Sequence, residues 1–176
     1  MFKKNIVLLS IVIVLLLISA SVIYEQQRDK NIKIESLVGY SLTTILNSYD
    51  KILDSKTDNL SIEYIIDLNR KLAQIEAYSD ILDRAVGRSS IQPIVKSMLI
   101  ITENMENSYK KNKNSFTQSD NEKYLTLVKE ISNLIPLMYK TYYVPGSTEG
   151  GKVRLEVVEQ QGIIEIRDRL NQYMTK

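Results

Sequence analysis

The chain has 176 residues, of which 23 are Lys or Arg and 21 are Asp or Glu, and it contains neither cysteine nor histidine. The lack of cysteine excludes a disulfide framework, a thiolate metal site and an acylated lipobox, and the lack of histidine excludes imidazole ligands and the Ser-His-Asp triad. Without Lys3 and Lys4, 21 basic residues balance 21 acidic ones, so no excess positive charge favours binding to nucleic acid phosphates.

Residues 6–24 read IVLLSIVIVLLLISASVIY and carry no charge. As a helix, with a rise of about 1.5 Å per residue, this run spans roughly 28 Å, close to the ~30 Å hydrocarbon core of a bilayer. It is also longer than the apolar core of about 7 to 15 residues in a signal peptide. The run is therefore predicted to be a transmembrane signal anchor in the lipid bilayer. The alternative is a cleaved signal peptide, because Ser19-Ala20-Ser21 is an acceptable cleavage site.

Charges on either side of this run predict its orientation. Lys3 and Lys4 precede it, whereas the charges of the following EQQRDK nearly cancel, so the positive-inside rule places residues 1–5 in the cytoplasm as a short tail. The remainder is then extracytoplasmic, in a single-pass membrane protein or, after cleavage, in a secreted one. The abundance of Ile, Lys and Asn, which have AT-rich codons, points to a low-GC bacterial source.

The segment after the run predicts two amphipathic helices. The membrane helix is expected to continue to about Asp54, with one apolar face formed by Ile34, Val38, Leu42, Ile45, Tyr49 and Ile52. Ser61 is the predicted N-cap of a second helix, and Gly87 is its predicted C′ residue. The apolar stripe of that helix alternates in steps of three and four: Ile65, Leu68, Leu72, Ile75, Ser79, Leu82 and Val86.

Two more helices are predicted before residue 144. The third is expected to begin with Ser90 as its cap and Pro93 in its first turn, and to bury Ile91, Ile94, Met98, Ile101 or Thr102, and Met105. Ser119 to Glu122 has capping-box spacing and predicts the start of the fourth. Its inward positions are expected to be Tyr124, Val128, Ile131, Leu134 or Ile135, and Met138, with a kink at Pro136.

These helices predict an all-α fold in which residues 25–144 form an extracytoplasmic antiparallel four-helix bundle. VPGSTEGG supplies a break, so residues 145–152 are predicted to be a linker. The amphipathic segment 153–176 allows two interpretations. It is either a fifth helix that tolerates Gly162, or a short hairpin that turns at residues 159–162 and docks on the bundle.

No catalytic residue, metal ligand or cofactor is predicted. The helically spaced carboxylates are interpreted as solvated faces, and the Lys-rich YKKNKNS as an interhelical loop. The carboxylates are Asp50, Asp54 and Asp58, Asp80 and Asp83, and Glu103 and Glu106. The local tyrosine cluster Tyr139, Tyr142 and Tyr143 allows two interpretations, because tyrosine is enriched at interfaces. It is either a partner-binding surface or packing between the bundle end and the last segment.

An apolar helix that leads into an outer helical bundle resembles, in layout alone, the sensory modules of chemoreceptors and membrane histidine kinases. No motif carries that resemblance and no second apolar span follows, so membership is not predicted. The predicted function is a non-enzymatic, membrane-anchored protein that binds a protein partner in the cell envelope, and a homo-oligomer is compatible with it. The alternatives are a secreted helical inhibitor or immunity-like factor and, third, an enzyme that uses carboxylates or a serine with lysine.

Overall fold

The computed structural model describes residues 2–147, 150–157 and 160–174, with backbone alone for residues 2–12 and for residue 160. Within these residues the chain forms five helices: α1 (Phe2–Asp54), α2 (Ile62–Ala85), α3 (Gln92–Lys111), α4 (Gln118–Tyr142) and α5 (Gln160–Met174). The predicted all-α class and the helical bundle are confirmed. The chain divides into two compact units, Met1–Ser36 and Leu37–Lys176.

The first unit consists of the N-terminal part of α1. The predicted continuation of this helix to Asp54 is confirmed. Large apolar side chains between Ile13 and Ile23 are exposed. Of the predicted span 6–24, the side chains of residues 6–12 lie outside the described part. Among the residues that are described, no helix combines the length and the apolarity needed to cross a membrane.

The second unit begins with the remainder of α1, whose inner face follows the predicted period. Five of the six positions predicted for that face are at most 1% exposed: Val38, Leu42, Ile45, Tyr49 and Ile52. The sixth, Ile34, lies in the first unit and is half-buried. Burial on this scale is the main driving force for packing α1 into the bundle.

Helix α2 begins and ends where its capping residues predict. The Ser61 hydroxyl accepts a hydrogen bond from the Tyr64 N–H at 3.2 Å, as an N-cap does. After the helix, Gly87 adopts a φ of +66°, and the Arg88 N–H donates to the Asp83 carbonyl at 2.9 Å. This is a Schellman ending, which needs the left-handed conformation that glycine adopts at little cost.

The side-chain contacts between α2 and α3 show that these helices are antiparallel. Asn69, early in α2, contacts Thr102 and Glu106, late in α3. Glu76, later in α2, accepts from Gln92 at the start of α3. The stripe predicted for α3 is buried throughout, including both Ile101 and Thr102.

The predicted cap of α3 is wrong, although Pro93 lies in the first turn as predicted. Ser90 does not cap it; the N-cap residue is Ile91, which makes no side-chain capping hydrogen bond. The Asp83 carboxylate, from the end of α2, accepts the backbone N–H groups there instead. A tertiary contact therefore supplies the cap that the local sequence was expected to supply.

The predicted start of α4 is also displaced. The capping box is formed by Thr117 and Asp120, two residues before the predicted pair Ser119 and Glu122. The buried face is displaced as well, since Leu127 is fully buried and Val128 only half-buried. At the remaining predicted positions Tyr124, Ile131, Leu134 and Met138 are buried, and Ile135 is not. Pro136 lies inside the helix, and the kink there stays a prediction.

The C-terminal segment contains a fifth helix that is shorter than expected. Residues 153–157 are not helical, and Val153 forms an isolated antiparallel bridge with Tyr143. The alternative hairpin is wrong, because Gly162 lies inside α5; Glu159 is outside the described residues. Helix α5 packs against α3 and α4 and buries Ile163, Ile166 and Leu170.

Candidate functional site

The predicted contact cluster Tyr139, Tyr142 and Tyr143 lies where α4 ends. Tyr142 and Tyr143 are buried, whereas Tyr139 is half-buried and stacks on Tyr143 with ring centroids 5.3 Å apart. The bridge to Val153 covers this end of α4 with the segment before α5. The burial favours the packing interpretation for Tyr142 and Tyr143. A role in partner binding stays a prediction, and Tyr139 offers the most accessible surface for it.

Asp83 connects the end of α2 to the start of α3. Its side-chain oxygens accept hydrogen bonds from the backbone N–H groups of Ser90, Ile91 and Gln92 at 2.9 to 3.1 Å. Three of the N–H groups at this helix start are thereby satisfied at a buried position. Burial raises the pKa of Asp83, and the backbone N–H groups partly oppose that rise.

Tyr142 lies close enough to Asp83 to feel its charge. Burial, and then the negative charge of Asp83, raises the pKa of the Tyr142 hydroxyl. This tyrosine therefore remains protonated at neutral pH and cannot act as a phenolate base. Together, Asp83 and Tyr142 form a buried structural junction of α2, α3 and α4.

Glu130 and Arg169 form an ion pair between α4 and α5. Arg169 Nε donates to Glu130 Oε1 at 2.7 Å and a terminal guanidinium nitrogen donates to Oε2 at 2.8 Å. The Glu130 side chain is only 4% exposed, whereas that of Arg169 is 44% exposed. The guanidinium holds the pKa of Glu130 below its ordinary value, despite burial, which raises it. This bidentate contact fixes the register of α5 on the bundle.

The other acidic pairs noted in the sequence are dispersed. Asp80 pairs with Arg84 at 2.9 Å along α2, and Glu106 accepts from Asn69. Asp50 and Glu103 are exposed. In the described part of the chain, no three acidic side chains come together in a group that could hold a metal ion.

A concave surface with mixed chemistry lies at the end of the bundle, beside the loops that join α1 to α2 and α3 to α4. We call it the end cleft; its volume is about 510 Å³. The lining residues are Asp58, Asn59, Leu60, Ser61, Ile62, Glu63, Tyr109, Asn114, Ser115, Phe116 and Asn121. They combine two carboxylates, three amides, three hydroxyls and two aromatic rings, and the volume is within the usual range for ligand sites.

The loop after α3 shapes one wall of the end cleft. It begins later than predicted, because the first three residues of YKKNKNS are the last residues of α3. Lys113 and Asn114 have φ values of 53° and 61°, the left-handed conformation that glycine usually supplies. The Asn114 N–H donates to the Tyr109 carbonyl at 3.1 Å, which ends α3 with a Schellman-type bond. This turn brings Phe116 back over Tyr109, with ring centroids 4.8 Å apart, while Lys113 is not among the lining residues.

The interpretation of Asp83 as part of a solvated face is wrong, because its side chain is buried under the start of α3. The Glu130–Arg169 pair and the end cleft were not predicted from the sequence. A signal existed for Asp83, because an acidic residue beside the apolar stripe, four residues before Gly87, is unusual on a solvated face. Phe116 also gave a signal, as one of two phenylalanines in the chain and in the middle of a polar loop. Nothing local links Glu130 to Arg169.

Comparisons with protein families, with curated proteins and with solved structures find no match to this chain.

Proposed function

We propose that this chain is a single-pass membrane protein whose helical bundle lies outside the cytoplasm and binds a protein partner in the cell envelope, without enzymatic activity. The observation that carries the proposal is the exposed apolar surface of α1. Its eight large apolar side chains at positions 13–18, 22 and 23 are between 47% and 65% exposed. A contiguous apolar surface of this kind is characteristic of a contact with lipid or with another protein.

The bilayer is the occupant that fits this surface best. The exposed positions include six consecutive residues, so apolar side chains cover every side of the helix rather than one stripe. A protein partner would need to cover one stripe only, whereas lipid surrounds a helix completely. The uncharged run extends over residues 6–24, and the two lysines before it favour a cytoplasmic N-terminus.

Partner binding is proposed because the described part of the bundle offers contact chemistry and no recognisable reaction chemistry. The chain has no histidine or cysteine. The buried carboxylates among the described residues are Asp83, Asp120 and Glu130. Backbone N–H groups donate to Asp83, Thr117 and Ser108 donate to one oxygen of Asp120, and Arg169 pairs with Glu130.

Cell fractionation with a matched pair of variants tests the anchor. Replacing Leu15, Leu16 and Leu17 by lysine should release the chain from the membrane pellet, because each lysine at the centre of a span costs about 2.5 to 3.5 kcal/mol. Lysine at Gln26, Gln27 and Asn31, on the exposed part of α1 after the run, should leave it in the pellet. Equal release of both variants would contradict the proposed span.

Topology and processing are tested on the unmodified chain. An epitope placed after Lys176 should be degraded by protease added to whole cells, and mass spectrometry should find the native N-terminus in the membrane fraction. A chain that begins at Val22 in the medium would instead establish the secreted alternative. Protection of the epitope in whole cells would invert the topology.

Photo-crosslinking in intact cells tests the partner. A photoreactive residue at Tyr139 should give a discrete adduct with one envelope protein, and the same residue at exposed Asp168 serves as the comparison. Hydrolysis of peptidoglycan or peptides that disappears in Glu103→Gln or Glu106→Gln would favour the enzyme alternative instead.

A further inference from the structure

The end cleft is lined by negative charge, whereas the whole chain has a small positive net charge. Asp58 and Glu63 contribute two negative charges, and the described residues that line the cleft include no lysine or arginine. By contrast, the whole chain has a formal charge of +2. Lys110 and Lys111, at the end of α3, and Lys113, in the loop that follows, are exposed and do not line the cleft. The lining of the cleft is therefore acidic, beside a basic helix end.

The two carboxylates are available to a ligand. Both side chains are exposed, and within the described residues neither has an ion-pair or hydrogen-bond partner. Each would attract a cation placed in the cleft and repel an anion. Anionic polymers and phosphate groups are therefore poor candidates for this site.

The aromatic pair adds a second feature that suits a cation. Tyr109 and Phe116 are half-buried and meet at an interplanar angle of 43° in the cleft wall. The face of an aromatic ring attracts a guanidinium or ammonium group within about 6 Å of its centre. Asn59, Asn114 and Asn121 supply amide oxygens that can accept the remaining N–H groups.

The openness of the cleft indicates the size of its ligand. It is a groove between two loops rather than an enclosed cavity, so a small free cation would leave much of its surface in water. A hard metal ion would need about six oxygen ligands, and the described acidic residues form no such group. A basic side chain that belongs to a larger molecule avoids both problems. Other contacts hold that molecule in place, and its cationic group does not need six oxygen ligands.

We propose that the end cleft binds Lys or Arg side chains of a basic segment in a protein partner. This inference rests on the proposed function and deepens it, because it assigns the partner a second contact site, with a chemistry, at the opposite end of α4 from Tyr139. Carboxylates, ring faces and amides would each contact part of the same cationic head. The loop conformation at Lys113 and Asn114 would hold the site in shape before the partner arrives.

The test measures binding of a fluorescently labelled peptide of alternating Arg and Gly to the full chain in non-ionic detergent micelles at low salt. Asp58→Asn with Glu63→Gln should weaken binding about tenfold, as expected for two exposed ion pairs that act together with a ring contact. Asp50→Asn with Glu165→Gln removes the same charge at exposed positions outside the cleft, and should change affinity less than about twofold. Phe116→Leu, which keeps the apolar volume and removes the ring, should weaken binding about threefold.

Equal losses in the two double variants would overturn the proposal, because they would show attraction to overall charge. Binding of the corresponding Glu-Gly peptide or of wall polysaccharide in place of the Arg-Gly peptide would also overturn it, as would no saturable binding of the Arg-Gly peptide. Failure of the anchor and crosslinking experiments together with cleft-dependent peptide binding would refute the proposed function and leave this site standing. Success of the anchor and crosslinking experiments without cleft-dependent peptide binding would refute the site and leave the proposed function standing.

Discussion

The two partners of the Glu130–Arg169 ion pair are unequally buried, so removing one should destabilise the fold more than removing the other. Glu130 is almost fully buried, whereas nearly half of the Arg169 side chain is in solvent. Replacing Arg169 by Met removes the charge, keeps much of the stem packing, and leaves a buried carboxylate with only the Asn133 amide at 3.4 Å. Glu130→Gln leaves a guanidinium that can turn toward water. We therefore expect Arg169→Met to be the more destabilising change.

The exposure of the guanidinium limits the size of the effect. Breaking a fully buried ion pair costs about 3 to 5 kcal/mol, and an exposed pair contributes at most about 1 kcal/mol. For this half-exposed pair we expect about 2 kcal/mol for Arg169→Met and about 1 kcal/mol for Glu130→Gln. Losses of that size lower the melting temperature by about 2 to 4 °C per kcal/mol in a chain of this length.

Urea unfolding followed by far-UV circular dichroism measures both variants, with Arg167→Met as the control. Arg167 is on the same helix and pairs with the exposed Asp168, so its replacement should cost less than about 0.5 kcal/mol. A Glu130→Gln variant that is less stable than Arg169→Met would refute the argument from burial. So would a cost below about 0.5 kcal/mol for both.

Acid provides a second readout of the same pair. Arg169 holds the folded-state pKa of Glu130 below its ordinary value of 4.5. The stabilisation is therefore fully present above pH 4.5 and is lost as the pH falls from there through the lower folded-state pKa. Relative to the wild type, Glu130→Gln should consequently show a weaker loss of stability across that acidic range. Equal pH dependence in the two proteins would contradict the assigned shift.

Three further substitutions test how the helices begin, end and pack. Asp83→Ala should cost about 2 to 4 kcal/mol in urea unfolding, because a cap and buried N–H partners are lost together, whereas Asp80→Ala should cost less than about 1 kcal/mol. Lys113→Gly should raise stability by about 0.5 to 1 kcal/mol, since glycine relieves the left-handed conformation; an unchanged urea midpoint would contradict this. Gly162→Ala should gain less than the usual ~1 kcal/mol, because its new Cβ would lie 3.0 Å from Leu137 Cδ2. In a Leu137→Ala background the full gain should return, and its absence there would rule out this contact as the cause.

Local patterns predicted the features that depend on neighbouring residues. The buried face of α1 from Val38 to Ile52 and the cap at Ser61 follow from helical periodicity and from side-chain to backbone bonds within a few residues. Gly87 was predictable for the same reason, because a left-handed C′ residue is a local requirement. Each of these features has its whole cause within one or two turns of helix.

The displaced start of α4 shows where local patterns compete. Thr117 with Asp120 and Ser119 with Glu122 both offer the spacing of a capping box. Asp120 also accepts a hydrogen bond from the Ser108 hydroxyl, 12 positions earlier in the chain, at 2.7 Å. This tertiary contact is made by the Thr117–Asp120 capping box, and it cannot be recognised from capping spacing alone.

Partners distant in sequence explain the remaining differences. Asp83 takes over the cap expected of Ser90 because the turn at Gly87 brings the end of α2 against the start of α3. Glu130 and Arg169 are 39 positions apart, and each would be an ordinary surface charge without the other. The shorter α5 likewise depends on the bridge from Val153 to Tyr143.

The aromatic residues indicate how a contact surface in such a bundle is better recognised. Tyrosine density directed attention to the end of α4, yet Tyr142 and Tyr143 are buried there. A helical bundle needs large side chains to close its ends, so aromatic clustering beside a helix end has a structural cause. Phe116 also packs on an aromatic neighbour, Tyr109, but this pair stays half-buried and lines an open cleft. A half-exposed aromatic pair beside carboxylates that have no partner among the described residues is therefore the stronger reason to look for a ligand.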